Sequence, residues 1–406
     1  MIRKWKSIVW LMAIVFLTSC GRMDAPDAVF RTETAAEADA FSDGLSEADP
    51  EPETQMRGGE ERTKKEDGIF LYAYETLATQ EERQLYEEML RSLTQRESET
   101  ELSTLKQELL EPVFHCVLAD HPEIFYVDGY TSTTYKLGDA LKKITFSGDY
   151  TMEEEEIVRR SGLLEDVIGE WLSGLEADAD DYEKVKYLYD LLILKTEYEL
   201  GCADSQNICS VFLNGRSVCQ GYAKALQLLC QRAGIPALLV TGRVNGGGHA
   251  WDMLQLDGEW YYADPTWGDA SYQKEEGDAL SGADYPAVNY DYFCVTTEQI
   301  TKTHQLGEEQ NLPVCTAVSA QYYRHEGLYL ESADEEKLAA IFSRAGQSGA
   351  ETVTFQCADE EVYREVYRLL IEQQKIFDYL PDTNGTVAYA DSPVQGTFCF
   401  WLSQSG

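Results

Sequence analysis

Apolar residues spaced three and four apart mark out helices along this chain, and alternating stretches on either side of a tight-turn dipeptide mark out a hairpin near its middle. Leu85, Tyr86, Met89, Leu90, Leu93, Leu102 and Leu105 form a helical stripe through 81–108, continued by Leu109 and Leu110 and expected to close at Pro112. Residues 130–135 and 141–146 read as strands. Leu163, Leu164, Val167, Ile168, Trp171 and Leu172 predict a helix within 152–175, and Val185, Tyr189, Leu192 and Ile193 predict another over 181–197.

The next segment is the densest. From Cys219 the pattern through Leu226, Leu228, Leu229 and Cys230 is helical, with Gly234 as its C-terminal stop and Pro236 blocking continuation. Residues 237–244 read as a strand and 245–248 as a loop needing unusual dihedrals. Strands 249–256 and 259–264 then flank Asp257-Gly258, a strong two-residue hairpin signal. Pairing across that turn sets Leu256 opposite Glu259 and Trp251 opposite Asp264. His249 becomes the diagonal neighbour of Asp264, provided that no bulge shifts the register. After His304 the pattern restarts, with 320–323 and 327–330 extended, 334–345 helical, 351–355 extended, 360–374 helical and 396–401 extended. That order fits a small separate α/β domain without a chemical motif.

The ends add a location. Arg3, Lys4 and Lys6 precede an apolar run from Ile8 to Leu17, too short for a comfortable bilayer crossing of roughly 20 residues. Leu17-Thr18-Ser19-Cys20 resembles a bacterial lipobox, which implies lipidation of Cys20 and anchoring on the extracytoplasmic face of the membrane. The expected organisation is a signal peptide over 1–19, an acidic flexible tether over 20–65, a helical and α+β elaboration over 66–180, a core over 181–305 and an accessory α/β domain over 315–406. Asp and Glu number 72 against 33 Lys and Arg, a net charge of −39, which repels phosphate backbones and excludes nucleic acid as a partner. Of 10 cysteines, those left after Cys20 are odd in number, so at least one thiol stays out of intramolecular pairing. Their spacing suits no zinc knuckle, although Cys202 and Cys209 could pair.

Three residue types then form a catalytic pattern. Cys219 in the first turn of a helix meets unpaired N–H groups and a dipole that favour thiolate. His249 accepts its proton, and Asp264 takes the other imidazole N–H, fixing the tautomer. Val218-Cys219-Gln220-Gly221-Tyr222-Ala223, Gly234-Ile235-Pro236, His249-Ala250-Trp251 and Trp260 through Trp267 together resemble the successive blocks of bacterial transglutaminase-like domains, relatives of the papain-like thiol enzymes. The resemblance covers roughly 181–293 and implies an α+β fold with Cys219, His249 and Asp264 as a triad.

It further implies a thioester acyl-enzyme on a polypeptide or cell-wall peptide, resolved by water in a hydrolase or by an amine in a transglutaminase. A noncatalytic peptide-binding lipoprotein is the remaining reading. The Cys219 backbone N–H is a candidate oxyanion donor, joined by the weaker candidates Gln206 and Gln220. Trp251, Trp260, Tyr262 and Trp267 are candidate cleft walls. Asp252 stands where many relatives are expected to carry Asn, with strand parity opposite to His249. Gly221 is expected to let a substrate chain or a neighbouring strand approach closely. His121 and His304 fit no metal pattern, and no cofactor or metal is expected.

Overall fold

The computed structural model describes residues 7–10, 29–35, 71–137, 140–269, 286–307, 312–380 and 386–402. The expected signal and tether lie outside these residues apart from two short strands. The architecture is mixed α/β, with a helical N-terminal region, a transglutaminase-like core and a smaller mixed C-terminal region. Residues 27–159 form one compact unit, and residues 1–26 with 160–406 form another.

In the 27–159 unit, helices Gln80–Gln95 and Leu110–Asp120 bury Leu85, Met89, Phe114 and Val117. Its sheet runs in the order Val29–Ala35, Val127–Leu137, Ala140–Tyr150, Thr100–Leu102. The single helix expected over 81–110 is therefore two helices separated by a strand. Pro112 opens the second helix instead of closing the first, because a helix's first turn has no intrahelical acceptor for the N–H that proline lacks. Residues 320–323, expected to be extended, instead contribute to the short helix Tyr322–His325.

The core is built from α1 (Asp181–Lys195), α2 (Cys219–Arg232), β1 (Ala237–Val244), β2 (Gly247–Leu256), β3 (Glu259–Ala263), α3 (Pro265–Gly268) and β4 (His304–Leu306). Asp180 caps α1 through a reciprocal capping box with Glu183, and α2 ends at Gly234, whose φ of 82° suits glycine. The sheet is antiparallel in the order β3, β2, β1, β4. Both hairpins turn on dipeptides with positive φ at each residue, Asn245-Gly246 and Asp257-Gly258, whose twist matches that of the strands. The β2–β3 register pairs Glu259 with Leu256 and Ala263 with Asp252, as the turn predicts.

The C-terminal sheet runs Ser7–Trp10, Thr386–Ser392, Thr397–Trp401, Thr352–Cys357, Tyr329–Leu330, and its core gathers Phe342, Phe355, Tyr389, Phe398 and Phe400. Asp291 joins it to the transglutaminase-like core, accepting from Tyr323 Oη at 2.7 Å and from Thr397 Oγ1 at 3.0 Å.

The β1–β4 edge depends on Gly242. A Cβ there would lie 2.1 Å from the Gln305 carbonyl oxygen and 2.7 Å from the Trp251 ring. Neither neighbour can yield cheaply, since one is strand backbone and the other a buried indole. Gly242→Ala is expected to cost about 1–3 kcal/mol, read as a lower urea midpoint at unchanged m-value. An unaltered midpoint would contradict this close approach.

Candidate active site

The site is built outward from Asp264, which ends the returning strand and begins α3. Pro265 occupies the first helical position, where its missing N–H costs nothing and its fixed φ starts the turn. Asp264 is the N-cap, and its Oδ1 accepts from the backbone N–H of Thr266 at 2.9 Å and of Trp267 at 3.1 Å. The main chain is pinned as well, with Asp264 N–H donating to Tyr292 O at 2.9 Å and Tyr189 Oη donating to Asp264 O at 3.0 Å. With Oδ1 committed, the second oxygen has one direction left.

Asp264 Oδ2 lies 2.7 Å from His249 Nε2 and 2.9 Å from His304 Nε2. All three side chains are almost sealed from solvent, at 0% exposure for Asp264 and His304 and 2% for His249. Burial alone would push Asp264 toward neutrality, but the two imidazoles hold its carboxyl well below the usual range. Burial pulls His249 down too, yet the charge and hydrogen bond of Asp264, with the adjoining Cys219 sulfur, raise it well above an ordinary imidazole. His304 moves the other way, lowered first by burial and then by the neighbouring His249 charge, despite the same carboxylate. Of the two rings, His249 is therefore the one that gains a proton more readily and His304 the one that burial holds back.

Cys219 is the first residue of α2, 3% exposed, and its side chain bears on the His249 ring, whose Nε2 is engaged by Asp264. Close packing behind the thiol needs Gly221, where a Cβ would fall 2.0 Å from Ser217 Oγ and 2.6 Å from Ser210 Oγ. Those hydroxyls bond each other at 2.6 Å, so what approaches Gly221 is the helix Ile208–Phe212 and the short strand Arg216–Ser217, the second of which answers the expected neighbouring strand. The structure thus brings Cys219, His249 and Asp264 together.

The remaining candidates divide. Trp251 stacks beside His249 at 5.8 Å between ring centroids and meets His304 edge-on at 4.9 Å, while Trp267 lies 5.0 Å from His304. Tyr262 is buried, its backbone paired with Val295, and Trp260 is half-buried near the hairpin turn, one strand length from the triad. Gln206 and Gln220 are half-buried, and the Gln206 carbonyl accepts from Lys224 Nζ at 3.1 Å. No disulfide joins Cys202 and Cys209. His121 bonds Glu123 at 2.8 Å.

Sequence reasoning missed His304. It follows Asp264 by 40 residues on a three-residue strand, and only the β1–β4 pairing carries it inward. Together with His249 and Asp264 it forms the one group among the described residues whose ligand atoms could surround a metal, all within 4.8 Å. The spacing argues against a metal: 2.7 and 2.9 Å to a single oxygen are N–H···O contacts, while zinc ligands about 2.0–2.1 Å from an ion stand farther apart from each other.

Residues 171–265 match the Transglutaminase-like superfamily. The core has a transglutaminase-like fold. Among curated proteins, Kyphoscoliosis peptidase of Homo sapiens is 26% identical over 131 residues, 28% of this chain and 19% of that protein, and the Mus musculus form gives the same figures. The chain therefore spans under a fifth of the curated relatives it matches. Similar solved structures include a TGase at 12% identity with TM-score 0.25, covering 39% of this chain and 56% of that one. The periplasmic domain of TgpA from Pseudomonas aeruginosa shows 20% identity with TM-score 0.21, covering 31% and 53%.

Within the transglutaminase-like core, Asp252 is the outlier. It is fully buried, and neither carboxyl oxygen has a hydrogen-bond partner among the described residues. Burial, followed by the charge on Asp264, drives its proton affinity well up, and Asp252 in turn raises the Cys230 thiol. In the unfolded chain it ionises near pH ~3.9. The folded chain holds the proton above that value, so the stability of the protonated form is complete below ~3.9 and is lost as pH rises toward the folded value. Asp252→Asn cannot ionise. Its melting temperature is expected to exceed wild type at pH 8, with the gap closing below about pH 4; a gap independent of pH would show that ionisation is not what burial opposes.

Proposed function

We propose that this chain is a cysteine-dependent amide or peptide hydrolase with Cys219 as nucleophile, His249 as proton carrier and Asp264 as orienting acid. The observation that carries the reading is the His249 ring held at 2.7 Å by a capped, buried carboxylate, with the Cys219 side chain near enough to bear on that ring. The Cys219 proton passes to His249, and the sulfur attacks a carbonyl carbon. Collapse of the tetrahedral adduct expels an amine, which leaves with the proton from His249, and a thioester remains. Water, deprotonated by His249, then releases the carboxylic acid and restores the thiol. The N–H of Cys219, at a helix start with no intrahelical acceptor, is suited to the developing oxyanion, with Gln206 or Gln220 as a second donor.

Substrate class follows from access. A thiol 3% exposed is reached by an extended or flexible peptide, not by a folded surface. A net charge of −39 disfavours polyanionic substrates, and wall peptides and unfolded polypeptides satisfy both conditions.

Location rests on the lipobox-like sequence ending at Cys20. Among the described residues no helix is long and apolar enough to cross a membrane. Lipidation at Cys20 with removal of residues 1–19 would anchor the protein and strip the edge strand Ser7–Trp10. Thr386–Ser392 would then keep its antiparallel partner Thr397–Trp401. Radiolabelled palmitate is expected in wild type and absent from Cys20→Ala; equal labelling would refute anchoring at this residue.

Iodoacetamide, followed thiol by thiol by mass spectrometry, tests the nucleophile. At pH 6.5 Cys219 is expected to react ahead of the other cysteines, with the rate falling about a hundredfold in His249→Ala. Equal rates in the two proteins would leave a peptide-binding cleft instead. Incubation with wall peptides and unfolded proteins, with and without a primary amine, then separates hydrolysis from transfer: release of a free carboxylate supports the proposal, and amide formation with the added amine overturns the choice of acceptor.

A further inference from the structure

We propose that His304 is a positioning residue for the Cys219, His249 and Asp264 machinery, a neutral second imidazole whose N–H on Asp264 Oδ2 limits how tightly that carboxylate holds the His249 proton. The inference rests on the hydrolase reading above and extends it to a residue beyond the 171–265 segment that matches the superfamily.

The donor count carries the argument. Asp264 receives Thr266 N–H and Trp267 N–H on Oδ1, and the two Nε2–H groups on Oδ2. A carboxylate offers roughly four lone-pair sites, so this one is saturated and can neither rotate nor take a proton without breaking a buried bond. Saturation has a consequence for His249: electron density drawn by the His304 N–H is withdrawn from the bond to the His249 imidazolium. The proton on His249 is correspondingly easier to release to a leaving amine. A lone Asp264–His249 pair in the same dry surroundings would keep it longer.

The surroundings of His304 favour the neutral form this role needs. Its side chain is 0% exposed, and its Nδ1 lies 2.8 Å from Thr303 Oγ1, a hydroxyl able to donate to it. Asp264 Oδ2 can only accept, so Nε2 carries the hydrogen that reaches it. Its ring is walled by Trp251, Trp267 and Tyr292, at centroid distances of 4.9, 5.0 and 5.7 Å, which fix its plane. The titratable groups bearing on the network are Asp264, His249 and Cys219 within it, and Tyr292, Tyr189 and Asp252 around it. Both tyrosines are pushed up by burial, and Asp252 is likewise held in its protonated form. Cys219 aside, those groups remain uncharged, so Asp264 and His249 hold the charge that His304 adjusts.

The test compares full-length wild type, His304→Leu and His304→Gln. Gln retains an N–H donor at about the reach of Nε2, and Leu removes it. The pH profile of Cys219 alkylation by iodoacetamide is measured first. In His304→Leu the limb that reports loss of the His249 proton is expected to move up by about one pH unit, with His304→Gln returning toward wild type. For turnover on a cleaved peptide, kcat is expected to fall roughly tenfold in His304→Leu with KM little changed, and to recover in His304→Gln. Should a variant fail to fold, nitrogen-15 spectra of wild type decide: His304 is expected to stay neutral with its proton on Nε2 from pH 5 to 9, and an imidazolium there overturns the proposal.

Identical profiles for wild type and His304→Leu overturn it, as does equal loss in Leu and Gln, which would reduce His304 to packing. So would stoichiometric bound zinc whose removal reproduces the Leu profile. Failure of the underlying hydrolase reading looks different: wild type and His249→Ala would then alkylate alike, whatever residue 304 contains.

Discussion

The chemistry of this chain turns on four N–H groups converging on one buried carboxylate. Isolated in a dry interior, Asp264 would neutralise itself by taking a proton, because an unpaired charge there is far costlier than a shifted equilibrium. Two donors from the α3 backbone and two from imidazoles reverse that outcome. The α3 pair comes from a sequence-local device, an N-cap followed by proline, and so forms with the turn itself. The imidazole pair is non-local, brought by β2 and β4, and it is what would make a capping residue the orienting acid of the proposed triad.

Long-range assembly follows from that division. His249 reaches Asp264 through a hairpin whose register is dictated by Asp257-Gly258, while His304 arrives through an edge strand that can approach only because residue 242 has no side chain. Cys219 comes from a different layer, on α2, and its placement depends on the close packing of Gly221 against Ser210 and Ser217. Each active-site side chain is thus positioned by backbone geometry at some distance from the chemistry. That explains why the site needs no strained residue of its own among the three.

How far the sequence could be read tracks the range of the interactions. The α2 helix, the hairpin and its register were legible because Gly234 and Asp257-Gly258 act over a few residues, whereas Gly247 and Gly248, read as loop, lie in β2. Pro112 was misread because a proline at a helix start and one after a helix end look alike until the neighbouring strand Thr100–Leu102 is known. His304 was illegible for a different reason. Its strand is three residues long, too short for period-two alternation to register, and its partner lies 40 residues away in sequence. Gly242 was the available hint, as a glycine inside a strand pattern often marks close backbone approach, but it says nothing about which segment approaches.

Asp252 and Asp264 show what the donors accomplish. Both are aspartates buried to 0% in the same sheet region, and Asp252 pairs with Ala263, the residue just before Asp264. One is saturated with hydrogen bonds and its proton affinity is lowered; the other has no hydrogen-bond partner among the described residues and its proton affinity is raised by burial. Neutrality at Asp252 also suits Asp264, since a second anion on the adjoining strand would raise the proton affinity of both carboxylates and of His249, which would give up its proton less readily. The core tolerates an unsatisfied carboxyl because its uncharged form costs less than the field its charged form would impose on the triad. The opposite tendencies of two like residues are therefore a single condition on the site: the four N–H groups decide which of these two carboxylates carries charge.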